Sequence, residues 1–194
     1  MSYIPDPSPI PNSVQRVAST LRITGWICFW TQLVLWVISF IIQLFAILVF
    51  SRGATGTTAS TSGIGGGLVF ALIGLVILGF SIFQAFGYTR LARRLKAPGI
   101  TRPSRGETFK RIRIGLTSNL TGMAVTLLAS EAINGILLAK AISQPRGLFS
   151  PSGNLQDFIQ PLDFFVVLAN THTILAHFIG IAGALWLINR IYKN

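Results

Sequence analysis

Acidic residues are scarce in this chain: five Asp or Glu stand against sixteen Lys or Arg in 194 residues, with two histidines and one cysteine. So few groups leave little from which to build acid–base or nucleophilic catalysis. A Walker loop, a Cys-x-x-Cys pair, a His-Glu-x-x-His helix and a nucleophile elbow are all missing, so an enzyme is not expected. The lone Cys28 has no partner for an intrachain disulfide and, inside an apolar run, reads as a packed side chain. Residues 1–22 lack the charged-then-apolar order of a secretory leader and the Arg- and Ser-rich character of a transit peptide. Alternate prolines at 5, 7, 9 and 11 favour an extended tail, and a helix is expected from Ser13 as its cap.

What the chain has in abundance is hydrophobic length. Half of its residues are apolar and only 11% are charged. Four blocks, Ile23 to Phe50, Ile64 to Tyr88, Ile114 to Ile142 and Leu162 to Ile188, each supply the roughly 20 apolar residues that cross a hydrocarbon core. The reading is an all-α integral membrane bundle of four transmembrane helices, occupying 23–188 between a tail at 1–22 and a short end at 189–194. Gly53 to Gly67 is rich in Gly, Ser and Thr and reads as an outer loop.

The net charge of +11 is concentrated. Arg90, Arg93, Arg94, Lys96, Arg102, Arg105, Lys110, Arg111 and Arg113 crowd residues 90–113, with Glu107 the one acid among them. In a soluble chain this would suggest nucleic acid, but clamped between two spans it reads as a cytoplasmic loop facing anionic lipid, with no nucleic-acid partner. Arg16 and Arg22 precede the first span and Arg190 and Lys193 follow the fourth, whereas the other two loops carry Arg52 and Arg146, with Asp157 beside the latter. Both termini are therefore expected on the cytoplasmic side.

Small residues mark expected packing faces. Gly67, Gly74 and Gly79 in the second span, and Ala176, Gly180 and Ala184 in the fourth, allow close backbone approach where lipid gives no hydrophobic drive between helices.

Ionisable groups in lipid invite a functional reading. Glu131 lies in the third span with Asn134 and Gly135 one turn on; His172 and His177 lie in the fourth with Asn170 and Thr173. The two histidines, about 140 degrees apart around a helix, cannot face one ion together. His177 shares a stripe with Asn170, Thr173, Gly180 and Ala184. A Glu131–His177 contact is expected in the bundle core, as a polar clamp, as two ligands of iron or another divalent metal, or as part of a proton route. Pigment ligation is a further alternative. Glu131-Ala-Ile-Asn134-Gly135 resembles part of the Glu-x-x-Asn-Gly-Arg signature of chlorophyll-binding helices, although Ile136 replaces the Arg.

Several blocks along the chain carry a wider resemblance. They are Gly25 with Phe29-Trp30-Thr31-Gln32-Leu33-Val34; Phe86-Gly87-Tyr88-Thr89-Arg90-Leu91 with Arg94-Leu95; Asn119-Leu120-Thr121-Gly122-Met123; Ala139-Lys140-Ala141; Leu162-Asp163-Phe164-Phe165; and His177-Phe178-Ile179-Gly180. Together, from Arg22 to Ile188, they resemble the chloroplast inner-envelope family described both as permease-in-chloroplasts and as a small subunit of the inner-envelope protein translocon. His177 falls in a family block, while His172 stands where the pattern has Asn.

The resemblance implies four helices with both termini stromal or cytoplasmic. Without a transit peptide, it implies a cyanobacterial-type member in the plasma or thylakoid membrane. The activity it implies is permeation or homeostasis of iron or another divalent metal. The alternative is a helix-packing scaffold or translocon-like factor for protein translocation or assembly of photosynthetic complexes. Membrane lipids, a second copy of the chain or a membrane-complex subunit are the expected partners.

Overall fold

A computed structural model describes residues 11–53, 61–97, 103–143 and 159–193, with side chains placed for 11–49, 66–97, 103–143 and 159–193. Four helices account for nearly all of them: α1 (Asn12–Gly53), α2 (Thr61–Leu95), α3 (Arg105–Ser143) and α4 (Pro161–Tyr192). All four are long and apolar enough to cross a membrane, and the chain is an all-α membrane bundle. In lipid a spanning backbone must bond to itself, which favours helix even through the glycines that open α2.

Several helices also run past the expected boundaries. α1 begins at Asn12 rather than Ser13, with the amides of Val14 and Gln15 bonded to the Pro11 carbonyl. The expected outer loop is partly helical, because α1 runs to Gly53 and α2 already starts at Thr61. The basic loop is shorter still. Arg90, Arg93 and Arg94 lie on the end of α2, and Arg105, Lys110, Arg111 and Arg113 on the start of α3. Arg102, Arg146 and Asp157 lie outside the described residues, as does the proline tail through Ile10.

Local signals fix the helix starts. Ser104 accepts the Glu107 amide at 3.1 Å while its own amide donates to Glu107 Oε2 at 3.4 Å, a reciprocal cap. Pro161 opens α4, and Asp163 accepts the Gln160 amide at 2.9 Å.

Neighbours in sequence are neighbours in space, and α4 closes the ring onto α1, with α2 and α4 also touching across the bundle. The start of α1, the end of α2, the start of α3 and the end of α4 meet at one end around Leu21, Leu91, Ile112 and Leu187. There Arg105 donates to the Ile191 carbonyl at 2.7 Å, tying α3 to the last turn of α4. Both described ends of the chain and the basic helix ends therefore share one end of the bundle. A second apolar cluster, around Ala46, Leu68, Ile133 and Val166, closes the other.

Candidate functional site

Helices α3 and α4 interlock through reciprocal gaps. A Cβ built on Gly122 would lie in the His177 ring, and one built on Gly180 would meet the side-chain ends of Asn119 and Gln32. Two glycines thus make room for three polar side chains, His177, Asn119 and Gln32, in the interior of the bundle. His177 Nδ1 sits 3.2 Å from Asn119 Oδ1, and Nε2 sits 3.4 Å from the Gly74 carbonyl on α2. Both neighbours are acceptors, so a neutral imidazole donates to one of them at a time.

Gln32 of α1 completes the junction. Its Nε2 donates to Asn119 Oδ1 at 3.0 Å and to the Ala176 carbonyl at 3.0 Å, and Asn119 Nδ2 returns to Gly115 at 2.8 Å. The bond between Gln32 and Asn119 spans the diagonal from α1 to α3. All four helices therefore meet in one hydrogen-bonded cluster.

The polar line continues along the bundle. Ser39 donates to Ala169 at 2.8 Å and Asn170 Nδ2 to the Thr126 carbonyl at 3.1 Å. Gln43 is 1% exposed, and neither of its amide atoms has a partner among the described residues. Gln32 Oε1, Asn170 Oδ1 and His172 Nδ1 are also buried without one. Such atoms cost free energy unless water or a solute meets them. Gln32, Ser39 and Gln43, spaced seven and four apart on one face, were not among the expected site residues; a polar repeat in an apolar helix was the signal.

The expected pair of Glu131 and His177 does not form. His177 is fully buried, while Glu131, Asn134 and Gly135 are exposed on the outer face of α3, and a Cβ on Gly135 would meet nothing within 4 Å. The turn shared by Glu131 and Asn134 points away from α4, so a core clamp or a two-ligand site between them is not built. Among the described residues no three His, Cys, Asp or Glu groups gather to hold a metal. His172 is half-buried and apart from the His177 cluster, whereas Asn170 joins the line through Thr126.

Most of the small residues sit at contacts between helices. Gly67 faces Ile133 and Gly74 faces Thr126, so these α2 glycines receive α3; Gly180 receives α3 and α1. Gly79 has only ordinary contact with the Trp36 ring, at 3.6 Å, while Ala176 and Ala184 are buried. At the end away from the basic residues, Lys140 Nζ lies 3.7 Å from Asp163 Oδ2.

Comparison with known proteins shows the family of this chain. The family described as "Protein of unknown function (DUF3611)" matches residues 11–192. "Protein TIC 21, chloroplastic" of Arabidopsis thaliana is 33% identical over 211 aligned residues, covering 98% of this chain and 67% of that protein. No solved structure matches.

Proposed function

From the chain's membership of the DUF3611 family, to which the chloroplast protein TIC 21 is related, we propose that it is a non-enzymatic structural subunit of a membrane complex serving protein translocation or membrane-protein assembly. The observation that carries this reading is Glu131. The carboxyl lies about 5 Å along the helix from the midpoint of the apolar stretch of α3, at 1.5 Å per residue, faces outward and has no partner in the described chain. A polar group at such depth is expensive facing lipid, so a partner helix is the economical environment for it. Asn134, one turn on, supplies amide donors, and Gly135 leaves room for close approach.

A second copy of the chain fits this face. Across a two-fold axis, Glu131 of each copy meets an amide donor from Asn134 of the other, which makes the pair self-complementary. The membrane is that of a photosynthetic cell, plasma or thylakoid, with the basic helix ends and both termini cytoplasmic. The experiment is the size of the assembly extracted in mild detergent: larger than one chain for the native protein, and reduced to one chain by Glu131→Ala.

A second reading is favoured by the line of Gln32, Asn170 and Gln43. Buried, unpartnered amide atoms within a ring of helices suit a narrow hydrophilic path, the permeation of iron or another divalent metal. Amides and a single imidazole are weak ligands for such a cation, which suits passage more than storage. Ferrous-iron uptake into sealed vesicles holding the purified protein would establish it, and vesicles no leakier than protein-free ones would dismiss it.

A further inference from the structure

A cleft of about 240 Å³ opens between the end of α2 and the start of α3, lined by Phe83, Phe86, Gly87, Arg90, Arg94 and Arg111. Three guanidinium groups converge on it from two helices. Like charges gathered this way repel, and an anion must offset them. The described residues do not supply it. Among the described residues the carboxylates are Glu107, which caps Ser104; Asp163, paired with Lys140 at the opposite end; and Glu131, within the span. Arg90 is held over the Phe86 ring, 4.9 Å from its centroid, which orients its fork without neutralising it.

The cleft also has a direction. Val76, Phe80 and Phe83 are exposed at steps of four and three along α2, and Gly87, Arg90 and Arg94 continue the same stripe. One helix face thus passes from apolar to aromatic to cationic as it leaves the membrane. Gly87 forms the floor at the change, where a Cβ would lie 3.7 Å from Arg111 Nη1. A diacyl lipid has the same order of chemistry, chains first and headgroup oxyanion last.

We infer that this cleft is a binding site for one anionic glycerolipid, its phosphate or sulfate held by Arg90, Arg94 and Arg111 and its acyl chain lying along Phe83, Phe80 and Val76. Guanidinium forks bind such oxyanions with paired hydrogen bonds. The site is independent of whether the bundle conducts a solute or organises a complex.

The test is native mass spectrometry of the full chain from phosphatidylcholine micelles doped with phosphatidylglycerol. Replacing Arg90, Arg94 and Arg111 together by Gln should weaken the retained phosphatidylglycerol by about tenfold or more, because the direct contacts are lost. Replacing Arg93, Lys110 and Arg113 by Gln removes equal charge outside the cleft and should change binding by less than about twofold. Gly87→Leu keeps every charge, fills the cleft and should also weaken binding. Unchanged melting in detergent verifies that each variant folds. Equal loss from the two triple variants would reduce the site to general surface charge and overturn the proposal. Displacement of the lipid by millimolar inorganic phosphate would do so too, since it would make the site one for a free anion.

Discussion

His177 of α4 occupies the space that Gly122 of α3 leaves open, and Asn119, one turn earlier on α3, occupies the space left by Gly180 of α4. The relationship sets the register of the two helices, because sliding one past the other would drive an imidazole into a side chain. It also explains why two short blocks distant in sequence, one around Asn119 and Gly122 and one around His177 and Gly180, have the composition they do.

Filling those gaps should therefore be costly. Gly122→Ala and Gly180→Leu should each lower stability in detergent by about 2 kcal/mol or more, as overpacking forces the helices apart. Leu185→Ala, at a side chain 52% exposed, should cost much less. In a detergent that separates the chains, Gly135→Ala should be neutral or slightly stabilising, since a Cβ there meets nothing within the chain. Thermal unfolding of the four variants provides the comparison.

Four helices and the shared end of the two described chain ends were legible because uninterrupted apolar runs and clustered arginines are strong, local signals. The stripe of Asn170, Thr173, His177, Gly180 and Ala184 was legible too, and all five are buried. The supposed partnership of Glu131 with His177 failed for a different reason. Periodicity tells which residues share a face of one helix but not which way that face turns in a bundle, and α3 turns Glu131 outward while presenting Asn119 and Thr126 inward. Gln32 was hidden by its surroundings of Trp and Leu; only assembly of the bundle gives it Asn119 and Ala176 to bond. The Ser104–Glu107 cap was written in the sequence as Ser-x-x-Glu, within the stretch taken as loop.

The salt bridge at the far end should contribute through its carboxylate more than its ammonium. Asp163→Asn removes the partner of Lys140 and weakens the acceptor for the Gln160 amide, so a loss of about 1–2 kcal/mol is expected. Lys140→Gln should cost less, about 0.5 kcal/mol, because the helix cap survives. Chemical unfolding of the two variants decides the order.

Orientation can be read with a single thiol. Cys28 is buried, so a cysteine at exposed Ser104 is the group that an impermeant maleimide should reach. Labelling is expected from the cytoplasmic side alone. Reaction from the opposite side would reverse the assigned topology.

Within one isolated chain, Glu131 does no packing work. Glu131→Gln should leave the melting temperature of the monomer in detergent nearly unchanged, within about 0.5 kcal/mol, as expected for an exposed substitution. His177→Ala should differ sharply, losing about 3 kcal/mol through the cavity left beside Gly122 and the loss of the imidazole's contact with Asn119. Similar losses in the two variants would place Glu131 inside the bundle.

The proposed assembly through α3 is tested most directly by oxidative cross-linking in native membranes, in a Cys28→Ser background. Leu128, 60% exposed and one turn from Glu131, is replaced by Cys, and Val76, 73% exposed on α2, serves as the comparison. A covalent dimer of this chain from Leu128→Cys, absent from Val76→Cys and lost when Glu131→Ala is added, is the predicted result. Equal dimer from both positions, or none from Leu128→Cys, would contradict the account and leave the outward carboxyl of α3 without its partner.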